Sequence, residues 1–588
     1  MRYLRMLTNS IVGGALGAAF VALVFLQINP QLPLSVQVVA PLYGTLATFY
    51  GVHLAVGFYV LIVLRQLVGR EVLSPGWLSV RILAWLSAAL AAGTCLLMWT
   101  NLSGFRAVLE PDTARRMAAG AAGMAVCAVL LVFIAVVHYS FGRRGSKMSG
   151  SMLALTLVAA LALPMVARGR GTAPPPPGGG AAARGASEAA EPGGRLIMVL
   201  LDGASLEFLL PLTALGHLPN FGRLIDGGAS LHLTTIRPTQ PAPVWTAALT
   251  GAVPPSTGVR AAATYTFGPR DHPLELLPDV CFAYALVHLG LLDERPYRST
   301  DLRASPVWQV LGRHGITVGV AGVPVTDPAP PVRGYLVSDG AHAAGNARLA
   351  AEDQDLAYPR NLFELVQLPA SPTAPAVPPP DHAAKTAGDG PPAAGVPPPA
   401  SAAVRDAWYA SLVEALDARF APRVSMTRYV GIDLAGHYYL RFAQPGAFGD
   451  VTAEERGRFG QVLEDQYARV DAVVGRLLDG LAPGDVLFVV SGFGMQPVSL
   501  GKRLLGRALG EPPLTGTHED APDGFLLAYG TPVASGRLPV GSVLDVAPTM
   551  LYFLGVPVGR DLQGVARTDL FEAAFTAERP VTYIPSHR

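Results

Sequence analysis

Five apolar stretches crowd into the first 168 residues, at about 10–28, 36–64, 82–100, 117–138 and 149–167. Each is near or above the ~20 residues a helix needs to cross a bilayer core, so this part of the chain is committed to a membrane. Composition agrees: 51% of the 588 residues are hydrophobic and only 15% are charged, against roughly 25% charged in soluble domains. Because four more stretches follow the first, it reads as a membrane helix and not as a cleaved signal peptide.

Orientation follows from the basic residues. With the N-terminus cytoplasmic, the inside segments hold Arg2, Arg5, Arg65, Arg70, Arg81, Arg143, Arg144 and Lys147, and the outside segments hold Arg106, Arg115, Arg116, Arg168 and Arg170. The inside excess favours that orientation. Five crossings then deliver everything after residue 168 to the far side of a bacterial-type inner membrane, as an extracytoplasmic domain. Cys95 and Cys127 lie in membrane stretches and Cys281 stands apart, so the exported part closes no internal disulfide. A net charge of +1, without interleaved aromatic and basic residues, gives no basis for binding nucleic acid. Membrane lipids are the expected surroundings, and no protein partner is indicated.

Residues 169–194 are Pro, Gly and Ala with almost no large apolar side chain, the composition of a tether. The exported domain runs from 195 to 588, with a second Pro/Ala-rich stretch at about 369–404 expected to loop out as a disordered insert. In between, short β-rich runs alternate with helical patterns, which predicts a mostly parallel α/β sheet covered by helices on both faces. RLIMVLLDG ends in Asp202, RVSMTRYVGID ends in Asp433, and DVLFVVSG carries Ser491. In such sheets ligands bind off the carboxyl ends of the strands.

Asp433 and His437 are four apart, on one face of a helical turn, and His518 in GTHEDAPDG can join them from a distant loop. By itself the pair fits either a solvated cap or a metal site. Two histidines and a carboxylate with an open fourth position form a catalytic zinc set.

Several segments give these residues a context: VLLDG (199–203), LPNFGRLIDGGA (218–229), PVWTAALTGAVPPSTGV (243–259), YVGIDLAGHYYLRFAQP (429–445), GTHEDAPDGFLLAYG (516–530) and SVLDVAPTMLYFLGVPVGRDLQG (542–564). In this order they resemble the alkaline phosphatase superfamily, most closely its type I phosphodiesterase and nucleotide pyrophosphatase branch. The resemblance implies an alkaline-phosphatase-like fold and two divalent ions, usually zinc, that clamp a phosphoryl group while a Ser or Thr attacks. It places one ion on Asp433, His437 and His518. For the second ion it carries over only Asp202, because the family's Asp-His pair falls on Gly492 and Phe493 in VSGFGM. The family's nucleophile falls on Pro241, with Thr239 the nearest preceding hydroxyl and Thr246 at a position normally structural.

The resemblance with these departures implies one bound zinc, a lost second site and a catalytically impaired module, or pseudoenzyme, that binds a phosphoester or lipid-linked ligand. Two alternatives stay open. One is a one-metal hydrolase in which zinc activates water. The other is a transferase on lipid-linked phosphate, since five helices before such a domain resemble the layout of lipoteichoic acid synthases and phosphoethanolamine transferases. Within the membrane part, Gly13 and Gly17 form a G-x3-G that can pack helices. His53 is expected as a neutral ring bonded to a neighbouring helix.

Overall fold

The computed structural model describes residues 2–68, 79–139, 147–171, 193–268, 272–279, 281–344, 355–365, 399–509 and 514–587. It divides into two compact units, Met1–Pro175 with Ala263–Arg295, and Pro176–Ala262 with Pro296–Arg588.

The first unit holds the five apolar helices. Candidate spans cover Tyr3–Ile28, Val36–Leu67, Val80–Gly104, Pro111–Val137 and Gly150–Arg168, the first four longer than the apolar runs that announced them and the last of equal length. The second span is interrupted by a π turn at Ala47–Gly51. There His53 Nδ1 meets the Phe49 carbonyl of its own helix at 2.7 Å, and not a neighbouring helix as the sequence suggested. The same carbonyl also accepts from the Val52 backbone N–H at the end of that turn. Gly13 and Gly17 face Phe58 and Leu54, where an added Cβ would press on those side chains, so the small residues admit the neighbouring helix closely. Arg168 is 2% exposed. Its Nε donates to the Leu26 carbonyl at 2.6 Å, and its Nη2 donates to those of Asn29, Pro30 and Leu32. A cation thus takes one last-turn carbonyl of the first helix, at its negative dipole end, and three carbonyls of the turn that follows.

Ala263–Arg295 lies within the stretch read from sequence as exported domain, yet it groups with the helices. Phe267, Leu274, Leu286 and Leu292 share one apolar cluster with Phe25, Leu26, Leu42 and Phe49. Asn101 Oδ1 accepts from Asp279 N at 2.8 Å, and the Tyr50 hydroxyl accepts from Phe282 N at 3.2 Å.

The second unit is built on a ten-stranded mixed sheet. In chain order its strands are β1 (Leu196–Leu201), β2 (Ala229–Thr234), β3 (Val318–Ala321), β4 (Gly334–Val337), β5 (Ala357–Tyr358), β6 (Val424–Tyr429), β7 (Val486–Phe493), β8 (Asp523–Tyr529), β9 (Gly536–Arg537) and β10 (Gly541–Ser542). Across the sheet the order is β9-β2-β8-β7-β1-β6-β3-β4-β5, with β10 also on β2. The strands β7, β1, β6, β3 and β4 run parallel, and β8 is antiparallel to both β7 and β2. In β1, Val199 and Leu201 join a cluster with Leu209, Phe221 and Val474. The alternate residues Met198 and Leu200 are equally buried. Since successive strand residues point to opposite faces, the sheet is covered on both sides, as near-continuous apolar strands require.

Of the expected tether, 172–192 lies outside the described residues; of the expected insert, 369–398 does. Residues 399–404 open the helix Pro399–Phe420 and so do not belong to a loop.

Candidate metal centre

β6 ends at Tyr429, and Asp433 belongs to the helix Gly431–Ala443 and not to the strand end read from the sequence. The carboxylate of Asp406 accepts from Val430 N at 3.0 Å and Gly431 N at 2.7 Å, satisfying first-turn donors at the dipole's positive end. Burial nonetheless pushes its pKa up to about 6. Gly203, at φ +70° after β1, leaves the room Asp433 occupies. A Cβ there would lie 2.7 Å from Asp433 Cα and 2.8 Å from its Oδ1.

On this helix Asp433 and His437 share a face, with Oδ2 3.6 Å from Nε2. His437 Nδ1 donates to the Gly516 carbonyl at 2.8 Å, and Thr515 N donates to the His437 carbonyl at 2.6 Å. The loop so pinned brings His518 to a ring distance of 5.1 Å from His437. His518 Nδ1 donates to the Thr239 carbonyl at 2.7 Å. With both Nδ1 atoms engaged by carbonyls, Nε2 is the nitrogen each ring can offer to a metal. One ligand atom from each of Asp433, His437 and His518 lies within 4.8 Å of the others. Asp433 Oδ1 is buried with no hydrogen-bond partner. Burial lowers the proton affinity of His437, outweighing the pull of Asp433. An orphaned carboxylate oxygen beside two imidazoles fits a divalent ion of the zinc type.

Asp202 is engaged elsewhere. Trp245 Nε1 donates to its Oδ1 at 2.6 Å. Arg428 Nε lies 3.0 and 3.1 Å from its two oxygens, and Arg428 Nη2 forms a short ion pair with Oδ2. Arg428 Nη1 donates to the Gly322 carbonyl at 3.3 Å. Asp202 is 1% exposed and Arg428 7%. Burial opposes the Arg428 charge, but attraction to Asp202, with Asp339 and Asp433 adding to it, prevails and raises its pKa. The expected role of Asp202 as a surviving ligand of a second ion therefore meets a carboxylate already paired.

The remaining residues read from the sequence fall nearby. Pro241 opens the helix Pro241–Thr250 at its first position, where its missing N–H costs nothing. Thr239 is fully buried, and its main chain does the bonding, to His518 and, through its N–H, to the Glu519 carbonyl. Its hydroxyl has no hydrogen-bond partner. Thr246 donates to the Ala242 carbonyl within its own helix, a structural bond. Ser491 donates to the carbonyls of Ala204 and Phe493, closing the end of β7. Phe493 is fully buried, its ring 5.1 Å from that of His518. Sequence reasoning missed Arg428, Trp245 and Asp406. Arg428 was there to be noticed: a cation inside the apolar run VSMTRY of a buried strand demands an anionic partner.

Residues 196–511, more than half the chain, match the family described as type I phosphodiesterase / nucleotide pyrophosphatase. No curated protein matches the sequence significantly. Among solved structures, the chain is similar to murine ectonucleotide pyrophosphatase / phosphodiesterase 5, to an inactive form of that protein in complex with AMP, and to the human counterpart. In all three the identity is 14%, and 64% of this chain and 100% of the other are covered. The TM-scores are 0.37, 0.37 and 0.36. By the family match over residues 196–511, the chain belongs to the type I phosphodiesterase / nucleotide pyrophosphatase family.

Proposed function

We propose that this protein is a membrane-anchored, one-metal member of its family that binds a phosphoester through zinc on Asp433, His437 and His518 without the ordinary covalent turnover. The observation that carries the reading is Asp433 Oδ1, buried without a partner beside two imidazoles that present Nε2. Leaving such an oxygen unpaired costs about 1–3 kcal/mol, more for a charged group, which a bound cation would offset. An ion held there supplies Lewis acidity toward a phosphoryl oxygen or a water. Against ordinary turnover stands Pro241, a residue with no hydroxyl, at the position where the family resemblance puts the nucleophile. The membrane helices and the basic residues about them favour a cytoplasmic N-terminus with the phosphodiesterase-like unit on the other side.

A second reading, hydrolysis with one ion, is favoured by the trio itself, since three protein ligands leave an open position. One experiment separates the two. Zinc content and cleavage of bis(p-nitrophenyl) phosphate are measured on the full chain and on His437→Ala. Bound zinc that the variant loses, with no cleavage above the variant's background, is the expected result. Cleavage above that background selects the hydrolase, and absence of zinc from the unmodified chain removes both readings.

A further inference from the structure

The two-ion pattern of the family needs the carboxylate after the first strand to keep a face open to a second ion. Asp202 keeps none. Its oxygens take Trp245 Nε1, Arg428 Nε and Arg428 Nη2, and the residue is 1% exposed. The cradle around it is repacked as well. A Cβ on Gly492 would meet Val244 Cγ1 at 2.6 Å, so the place of an Asp side chain there is filled by Val244, with the Trp245 ring behind it at 3.7 Å. Phe493, where the family has His, is buried and apolar.

We propose that the guanidinium of Arg428 is the resident cation of the second berth, so that this chain takes one divalent ion and not two. A buried carboxylate in a low-dielectric interior must be paired with a cation. A planar guanidinium meets it through two parallel N–H bonds, is charged at every accessible pH, and cannot dissociate or be chelated. A divalent ion brought to Asp202 would displace those bonds and stand beside a fixed like charge. The residues that would help it, at 492 and 493, offer no lone pair. The "one" rests on the reading of the trio as a zinc site; the "not two" rests on Asp202 and Arg428 alone.

The test uses the full chain in detergent, loaded with excess zinc, desalted, and assayed for zinc per chain and for Tm, alongside Asp202→Asn, Arg428→Met and the double variant. The expected result is one zinc in the unmodified chain, one zinc in Asp202→Asn with a lower Tm, and a double variant that recovers most of the Tm lost by either single change. Should a single variant fail to fold, the double variant must still fold and hold one zinc. Two zinc ions in the unmodified chain, loss of zinc on Asp202→Asn, or a double variant no more stable than the singles overturns the proposal. An unmodified chain that holds no zinc but shows the Tm recovery overturns the trio reading and sustains the Arg428 pairing, so the two failures are distinguishable.

Discussion

His518 Nδ1 donates to the carbonyl of Thr239 at 2.7 Å, and this bond fixes the imidazole of a candidate metal trio through the main chain of a threonine whose hydroxyl bonds to nothing. The arrangement makes Thr239 a positioning residue. Thr239→Val keeps the carbonyl and removes a buried, unpaired hydroxyl, so it should leave zinc content unchanged and raise stability by about 1 kcal/mol, the low end of what such a group costs. Denaturant unfolding and metal analysis check this. A variant that keeps zinc but loses phosphodiester cleavage that the unmodified chain shows would instead make the hydroxyl a nucleophile.

Asn29 grips the chain at Leu276 from both sides. Its Oδ1 accepts from Glu275 N at 2.9 Å and Leu276 N at 3.0 Å, and its Nδ2 donates to the Leu276 carbonyl at 2.8 Å. Asn29→Leu strands two buried donors and an acceptor, at about 1–3 kcal/mol for each group that water does not reach. Amide exchange of Glu275 and Leu276 should quicken by about tenfold or more, since 1.4 kcal/mol is a factor of ten. Unchanged exchange would show that the apolar cluster around Phe267 and Leu286 holds the segment by itself.

These two cases show what sequence could and could not disclose. Asp433 and His437 were readable as a pair because four residues on a helix fix their geometry locally, and the strand cores were readable because continuous Val and Leu runs have few other fates. Asp433 was misplaced to a strand end because nothing in YVGID marks the turn, which is made by the carboxylate of Asp406, more than twenty residues away. The grouping of 263–295 with the helices was not readable, since it hangs on Asn29, Tyr50 and Asn101, and a polar side chain at a helix end looks the same whether it meets water or a peptide. Arg428 was readable as a problem but not as a solution. Its strand demanded an anion, and only the register of β1 beside β6 shows which one.

The C-terminal segment should loosen in acid. His314 and His587 pack edge to face at 5.6 Å. Burial lowers both pKa values. For His314, the neighbouring His587 and Arg313 add to the effect; for His587, the Pro557 carbonyl and Asp561 oppose it without reversing it. A histidine with a depressed folded pKa binds fewer protons folded than unfolded. Its contribution is therefore present above the unfolded value of about 6.5 and is lost as pH falls through the lower folded value. Protection of the Val558 and Arg560 amides, which bond to Thr582 and Ile584, should drop between pH 7 and pH 5. In His314→Gln the drop should shrink. Protection factors that stay level over this range would contradict the argument.

Gly492 offers the sharpest steric test of the proposed second berth. Placing there the Asp that the family resemblance implies, as Gly492→Asp, forces a Cβ to within 2.6 Å of Val244 Cγ1 in a strand buried along its whole length. Overpacking of this kind costs about 1–3 kcal/mol, and a new buried carboxylate without a cation costs more. Gly492→Asp should therefore lower Tm and add no zinc. Adding Val244→Ala removes the clash but not the charge, so the pair should recover only part of the lost stability. If Gly492→Asp by itself takes up a second zinc at undiminished stability, then the side chains of Val244 and Arg428 yield to an ion more readily than their packing implies.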